Sequence, residues 1–518
     1  MNSLPHTVWD YIIQFIPALC LKDMISVNSY FFNIAMDYRY RQVSLTYLNT
    51  RMLKTLVRLS DPAVAHRVRT VYIYPDFLKE DLFETPNALQ RMIRRGGRNL
   101  SNPGGLEKLF SKSGKCHLPV DVLVEWIQDV FSGLQNVIDY HITWFGLPAL
   151  SRNPGPLMTA LFGTAHIRRL TLTISFTNIP ALHVPGFSEL YHLEELQILV
   201  HNDNNNNHNS PKPVLRPDDA MLILSQLADV INNTRGTLRI LSIGSWGPVQ
   251  LGHLLQYIDV LPRLEKLFIS LPLDTRFLGD PASLEQFLNH KCSTLRVLGL
   301  RAEQNAGDVT MAAVDPYKLA GWFQEALQDV SLSKLRSLEI SGMHLPPEVC
   351  VEIVSTFGRT LKSLTLTGLE RSTEYIEEVV DVLSASVSSS RLTSQCEASS
   401  RGLERLRLSF VTLTPKLVDL LAERLPELKE LTLHVKDIVP SSRSRRGAAL
   451  RKIHGYTIAS QYEDQMEAFF SEMETRQYSK WKLQDLNIVL SSIPDAEFWQ
   501  PYLEHLFAEC VPSIARSQ

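Results

Sequence analysis

The sequence predicts an α/β fold in which a short helical module at the N-terminus precedes an extended array of strand–helix repeats. Three observations carry that prediction. The chain has 518 residues, several times what one hydrophobic core organises, so it is either multi-domain or a repeat array. One short pattern, apolar-x-x-apolar-x-apolar, recurs eleven times, with a twelfth, weaker copy. Between the copies lie segments with helical periodicity.

The copies, each expected to form a strand of three to five residues, are VRTVYI from Val68, IRRLTL from Ile167, LEELQI from Leu193, LRILSI from Leu238, LEKLFI from Leu264 and LRVLGL from Leu295. They continue with LRSLEI from Leu335, LKSLTL from Leu361, LERLRL from Leu403, LKELTL from Leu428 and LQDLNI from Leu483; the weaker copy is LQNVID from Leu134. Steps of 25 or 26 residues recur, as from Leu238 to Leu264 and from Leu403 to Leu428, and longer steps mark insertions. The helical segments DDAMLILSQLADVIN from Asp218, PPEVCVEIVSTF from Pro346 and TPKLVDLLAERLP from Thr414 each open with helix-start chemistry: Asp at the entry, Pro in the first turn, or Thr followed by Pro.

A strand, a loop, a helix and a return to the next strand make up the leucine-rich repeat, and residues 46–518 resemble an irregular leucine-rich-repeat solenoid. That resemblance implies parallel strands on the concave face and helices outside. One strand–helix unit cannot bury its own leucines, so neighbours stack. An ordinary α/β sheet also alternates strands and helices, but the number of copies favours the repeat. The repeat consensus places Asn or Cys three residues after the last strand leucine; here that place holds Ser175, His201, Trp246, Pro272, Glu303, Met343 and Leu369, which predicts a less regular arc. Insertions near 201–217, 386–402 and 436–452, rich in Asn, Ser, Pro, Gly or Arg, read as loops.

The chain starts LPHTVWDYIIQFIPALCLKDMISVNSYFFNIAMDYRYRQVSL, from Leu4 to Leu45. Seven of the nine residues from Val8 to Ile16 are apolar, more than one buried helix face requires. Residues 1–45 resemble an F-box, a short three-helix module, and are most similar to those of mushroom-forming fungi. The residues that carry the resemblance are Leu4-Pro5 opening a helix, Val8, Ile12 or Ile13, Leu21, Val27-Asn28, Phe32, Ile34-Ala35 and the step into Val43-Ser44-Leu45; Met24 stands in a segment that departs mildly from the family pattern. The F-box resemblance implies docking on a Skp-type adaptor, and through it on cullin, by Leu4, Pro5, Val8, Trp9, Ile12, Ile13, Ile16, Leu21, Met24, Val27 and Asn28. The competing reading makes all of these the internal core of a cap over the first repeat.

Composition narrows the function classes. Lys and Arg total 52 against 55 for Asp and Glu, so no strong overall field recruits nucleic acid or an anionic membrane, and neither is an expected partner. The basic stretches Arg91–Arg98 and Arg443–Lys452 read as solvated loops. No apolar run approaches the roughly 18 residues a membrane span requires. The opening stretch lacks the basic n-region and cleavage site of a signal peptide, and six scattered cysteines suggest neither disulfides nor zinc, so a cytoplasmic or nuclear location is expected.

No catalytic constellation emerges, and no cofactor or metal is expected. Gly244–Gly247 (GSWG) has the wrong spacing for a nucleophile elbow. Gly114–Cys116 (GKC) lacks both the first glycine and the Ser or Thr of a P-loop. His201 and His208 flank an Asn-rich stretch without carboxylates or thiolates, which reads as a solvated insertion.

Alternation along the strands nominates a row for an unknown protein substrate: Thr171, Gln197, Ser242, Phe268, Gly299, Glu339, Thr365, Arg407, Thr432 and Asn487, with Arg405 in a neighbouring row. Of these, Gln197, Phe268, Glu339, Arg405, Arg407 and Asn487 are the candidate substrate-binding residues. The expected function is a non-enzymatic substrate-recognition adaptor of a Skp–cullin–F-box ubiquitin ligase. An F-box scaffold outside any ligase is the alternative, and an enzyme on an α/β sheet is the weakest reading.

Overall fold

The computed structural model describes residues 6–13, 15–17, 20–78, 118–144, 162, 166–183, 190–201, 217–246, 250–272, 278–303, 315–341, 347–358, 360–368, 373–389, 402–441, 458–491, 493 and 496–515. Leu4, Pro5, Arg91–Arg98, Gly114–Cys116, His208, Arg443–Lys452 and most of the three insertions lie outside these residues. The chain divides into two compact units, residues 1–247 with 257–263 and residues 248–256 with 264–518.

The first unit opens with helix α1 (His6–Ile13), a 3-10 segment (Cys20–Ser26) and helix α2 (Ser29–Tyr40). The expected middle helix is therefore a 3-10 turn, and α2 starts where the Asn28 side chain accepts from Phe31 N at 2.9 Å. Six parallel strands follow: β1 (Gln42–Leu45), β2 (Thr70–Ile73), β3 (Asp139–Trp144), β4 (Arg169–Ser175), β5 (Glu195–His201) and β6 (Ile240–Trp246). Val43, Val71, Tyr140, Leu170, Leu196 and Leu241 stand in register, all buried. Helix α3 (Thr50–Leu59), capped by Asn49, turns Met52, Leu53, Leu56 and Leu59 into the core. Helices α4 (Val120–Ser132) and α5 (Pro217–Asn233) occupy later crossovers.

The second unit holds seven parallel strands: β7 (Lys266–Pro272), β8 (Val297–Glu303), β9 (Ser337–Ser341), β10 (Ser363–Thr367), β11 (Arg405–Leu413), β12 (Glu430–Ile438) and β13 (Asp485–Leu490). Leu267, Leu298, Leu338, Leu364, Leu406, Leu431 and Leu486 form one register row. The first leucines of the copies, Leu264 through Leu483, lie buried just ahead of their strands. Each such leucine contributes roughly 1.5–3 kcal/mol by burial. Helices α6 (Pro316–Leu327), α7 (Pro347–Phe357), α8 (Thr373–Ser389) and α9 (Pro415–Arg424) pack on one another in sequence order, and α10 (Ile458–Met473) and α11 (Ala496–Cys510) follow. Helix α9 begins as its sequence predicts: Thr414 Oγ1 accepts from Leu417 N at 3.0 Å and Pro415 fills the first turn. In both units, strand side chains alternate between a buried row and an accessible one, so one face of each sheet is covered and the other open. This is the leucine-rich-repeat arrangement, one strand per repeat.

Three details differ from the sequence reading. The described strands run from four to nine residues rather than three to five, because the apolar alternation continues past the motif, as at Ile174, Val200 and Leu413. The weak copy at Leu134 shifts by three residues: Tyr140 is in register with Leu170, so the copy is VIDYHI from Val137. Residues Val43-Ser44-Leu45, assigned to the N-terminal module, form the first strand and pair with β2.

Register persists without the consensus asparagine because the backbone supplies a ladder of its own at the strand entries. The Lys362 carbonyl accepts from both Glu404 N (2.8 Å) and Arg405 N (2.9 Å), and the Glu404 carbonyl accepts from Lys429 N (2.8 Å) and Glu430 N (3.0 Å). The same bifurcated bond joins every described strand pair within each unit, beginning at the Arg41 carbonyl, which accepts from Arg69 N and Thr70 N. A carbonyl is present whatever the side chain, so the device tolerates irregular repeats.

Candidate binding surfaces

The N-terminal surface is built on α1 and α2. Trp9 turns inward against Phe31, their ring centroids 5.2 Å apart and nearly perpendicular. Val8 and Tyr11 on α1 and Phe15 in the turn after it form an exposed stripe, with Phe15 70% exposed and its ring 5.1 Å from that of Tyr11. Ile12, Ile13, Ile16 and Met24 are half-buried, and Val27 is exposed. Leu21, nominated for docking, is 6% exposed and belongs to the core, and Asn28 is engaged as the cap of α2. Tyr11 and Phe15 were not nominated, although the i, i+3, i+7 spacing from Val8 is visible in the sequence. Phe32, on α2, is also exposed and enters the sequence reading only as part of the family pattern.

On the open sheet face of the first unit, the register row is Ser44, Tyr72, His141, Thr171, Gln197 and Ser242. Tyr72 and His141 stack at 4.5 Å with 10° between the rings. The Asp139 carboxylate lies 3.3 Å from His141 Nε2 and 3.2 Å from Arg169 Nη2. His141 is hidden by the frame of the weak copy, which the sequence reading sets three residues early, whereas Tyr72 is legible at the row position of the correctly framed VRTVYI.

On the open face of the second unit, Phe268, Gly299, Glu339, Thr365, Arg407, Thr432 and Asn487 are in register. The structure therefore brings Phe268, Glu339, Arg407 and Asn487 into one row; Arg405 stands one register step away between Ser363 and Glu430, and Gln197 belongs to the first unit. Arg301 links two strands of this surface: its guanidinium lies 5.1 Å from the Phe268 ring centroid and donates to Glu339 Oε1 at 3.1 Å. Farther along, Arg407 Nη2 donates to His434 Nε2 at 3.2 Å, and burial, reinforced by the Arg407 charge, holds the imidazole below its ordinary pKa range. At the strand entries Glu404 bridges Lys362 Nζ (2.8 Å) and Lys429 Nζ (3.3 Å); the Lys362 hydrogen bond is the main cause that lowers the carboxyl pKa.

Phe410 adds an exposed aromatic at a β-bulge. Ser409 pairs with His434 and Val411 with Val435, so Phe410 is the extra residue, and it takes φ of 59°, a left-handed conformation disfavoured for a bulky side chain. Its sequence signal is the change of parity in RLRLSFVTL, where the buried residues pass from Leu406 and Leu408 to Val411 and Leu413.

Among the described residues, no group of three or more His, Cys, Asp and Glu side chains is placed to hold a metal ion, and no helix is long and apolar enough to cross a membrane. These surfaces offer mixed charge, aromatic rings and hydrogen-bonding groups to a macromolecular partner.

No protein-family model matches the chain, and no curated protein matches it by sequence. Among solved structures, the crystal structure of a Rad7 and Elc1 complex in yeast aligns with 85% of this chain and 92% of that chain, at 12% identity and a TM-score of 0.33. A likeness of that size carries no argument here; the fold assignment rests on strand order, register and alternating burial.

Proposed function

We propose that the chain is a substrate-recognition adaptor of a Skp–cullin–F-box ubiquitin ligase, acting in the cytosol or nucleus and performing no catalysis itself. In this reading residues 1–45 dock on a Skp-type adaptor, and residues 46–518 hold a protein target on the open faces of their sheets. The observation that carries it is the exposed apolar stripe Val8–Tyr11–Phe15, with Val27 and Phe32, on a helical segment that leads directly into strand repeats. A cap over the first repeat needs one apolar face, and this segment keeps a second one in solvent. An amphipathic helix with such a stripe suits a groove between partner helices. Tethering the target near a ubiquitin-loaded enzyme would raise its effective concentration, which is the whole of the chemistry asked of this chain.

The test is a pull-down of the full chain with a purified Skp-type adaptor, comparing wild type, Leu4→Ala/Pro5→Ala and Tyr11→Glu/Phe15→Glu. Wild type is expected to bind, and the Tyr11/Phe15 variant to weaken by about 2 kcal/mol or more, as for central aromatic anchors. A wild-type chain that fails to bind overturns the reading. Co-purification of cullin with the adaptor complex separates a ligase subunit from a scaffold.

A further inference from the structure

A groove of about 1880 Å³ in the first unit is lined by α2, β1 and α3 and reaches across the sheet to Thr70, Tyr72, Asp139 and Arg169 on β2 to β4. Six cationic side chains line it: Arg39, Arg41, Arg51, Lys54, Arg58 and Arg169. Its one acidic residue is Asp139, whose carboxylate already faces Arg169 at 3.2 Å. Among the described residues, no carboxylate pairs with Arg39, Arg41, Arg51 or Arg58. The chain as a whole carries a net charge of −3, so this is a local concentration of positive charge, assembled from segments between residues 39 and 169.

The groove also exposes backbone. In a parallel pair, alternate residues turn their N–H and C=O to opposite sides. The Arg41 and Leu45 carbonyls accept from the β2 side, from Thr70 N and Tyr74 N, so the intervening Gln42 and Ser44 turn their backbone groups toward the groove. Among the described residues no strand pairs with the outer edge of β1, and such an edge is a template for another strand. Tyr47 and Tyr72, with Ser44 and Thr46, line an adjoining hollow of about 410 Å³ that can take side chains from an added strand.

We propose that this groove binds an extended acidic peptide segment of a partner protein, which adds to the outer edge of β1 and sets its carboxylates against Arg39, Arg41, Arg51 and Arg58. Charge complementarity selects acidic side chains, and the free edge selects an extended backbone. A nucleic acid strand would satisfy the cations but leave the outward groups of Gln42 and Ser44 without their pairing. The groove takes in Ser44 and Tyr72 of the open sheet face and Arg39 of the N-terminal module, but it uses none of Val8, Tyr11 and Phe15, so peptide binding and adaptor binding are tested separately.

The test is fluorescence anisotropy on the full chain with a fluorescein-labelled peptide of alternating Glu and Val. The comparison probes are its Lys–Val counterpart, the Glu–Val peptide N-methylated at alternate amides, and a labelled deoxythymidine oligomer. Wild type is expected to bind the Glu–Val peptide, more weakly as ionic strength rises from about 0.05 to about 0.5 M. Arg51→Glu/Arg58→Glu, at two exposed positions, should weaken binding about tenfold, the order expected from reversing two screened charges. N-methylation leaves the charges and removes the pairing, and should cost a similar factor without altering the protein. The proposal is overturned if the Glu–Val peptide does not bind, if the N-methylated peptide binds equally well, or if the oligomer binds more tightly. It is also overturned if the folded double variant binds as wild type does.

Discussion

The Phe268 ring occupies the space beside Gly299, one strand over, that a β-carbon would need. The glycine is therefore a packing requirement of the open sheet face: it leaves room for an aromatic ring that receives the Arg301 guanidinium.

Gly299→Ala should displace the ring and destabilise the protein by about 1–3 kcal/mol, the usual cost of overpacking. The Arg301–Glu339 bond should loosen with it, since Arg301 rests on the ring. Urea denaturation of Gly299→Ala, Phe268→Ala and the double variant checks this. The double variant should recover most of the loss caused by Gly299→Ala relative to the Phe268→Ala background, because the clash has then gone. Simple additivity would refute the contact as its cause.

His434 should titrate below the ordinary imidazole value of about 6.5. Its folded pKa is depressed by burial first and Arg407 second, so as pH falls the unfolded chain takes up the proton before the folded one does. This group therefore removes stability as pH drops below about 6.5, until the folded imidazole also protonates. Site-resolved NMR titration should show a low midpoint that rises part-way in Arg407→Ala, because the burial remains. A midpoint unmoved by Arg407→Ala would remove the charge from the explanation.

Cys292 should resist alkylation in the native protein. Burial pushes its thiol up to about 12, with Lys291 pulling the other way, so at pH 8 only about one thiol in ten thousand is ionised. Cys20, by contrast, is exposed. Iodoacetamide labelling read by peptide mass spectrometry should modify Cys20 first and Cys292 only as denaturant unfolds the chain. Rapid native labelling of Cys292 would contradict the burial.

Much of the fold is legible in local pattern. The leucines of LRSLEI, LKSLTL and LKELTL land in register, and Thr414-Pro415 starts a helix where its chemistry says it should. Copies written with other residues are harder to see: Tyr140 fills a leucine place in β3, and Val43 does so in a strand that the family resemblance assigned to another module. At the N-terminus, periodicity identifies a helix with surplus apolar residues. Which of them stay in solvent depends on Phe31 receiving Trp9, a contact made across more than twenty residues.

The sequence by itself determined the repeating unit and the covered side of each sheet, because these follow from period-two and helical spacing acting over a few residues, while the parallel strands were implied by the leucine-rich-repeat resemblance. Only the tertiary structure decided which surfaces are shared. It joined Phe268, Arg301 and Glu339 from three strands into one patch, and it gathered Arg39, Arg58 and Arg169 along one groove beside β1. Those groupings depend on register and crossover length, which bring together residues tens to more than a hundred positions apart, and no local pattern records that distance.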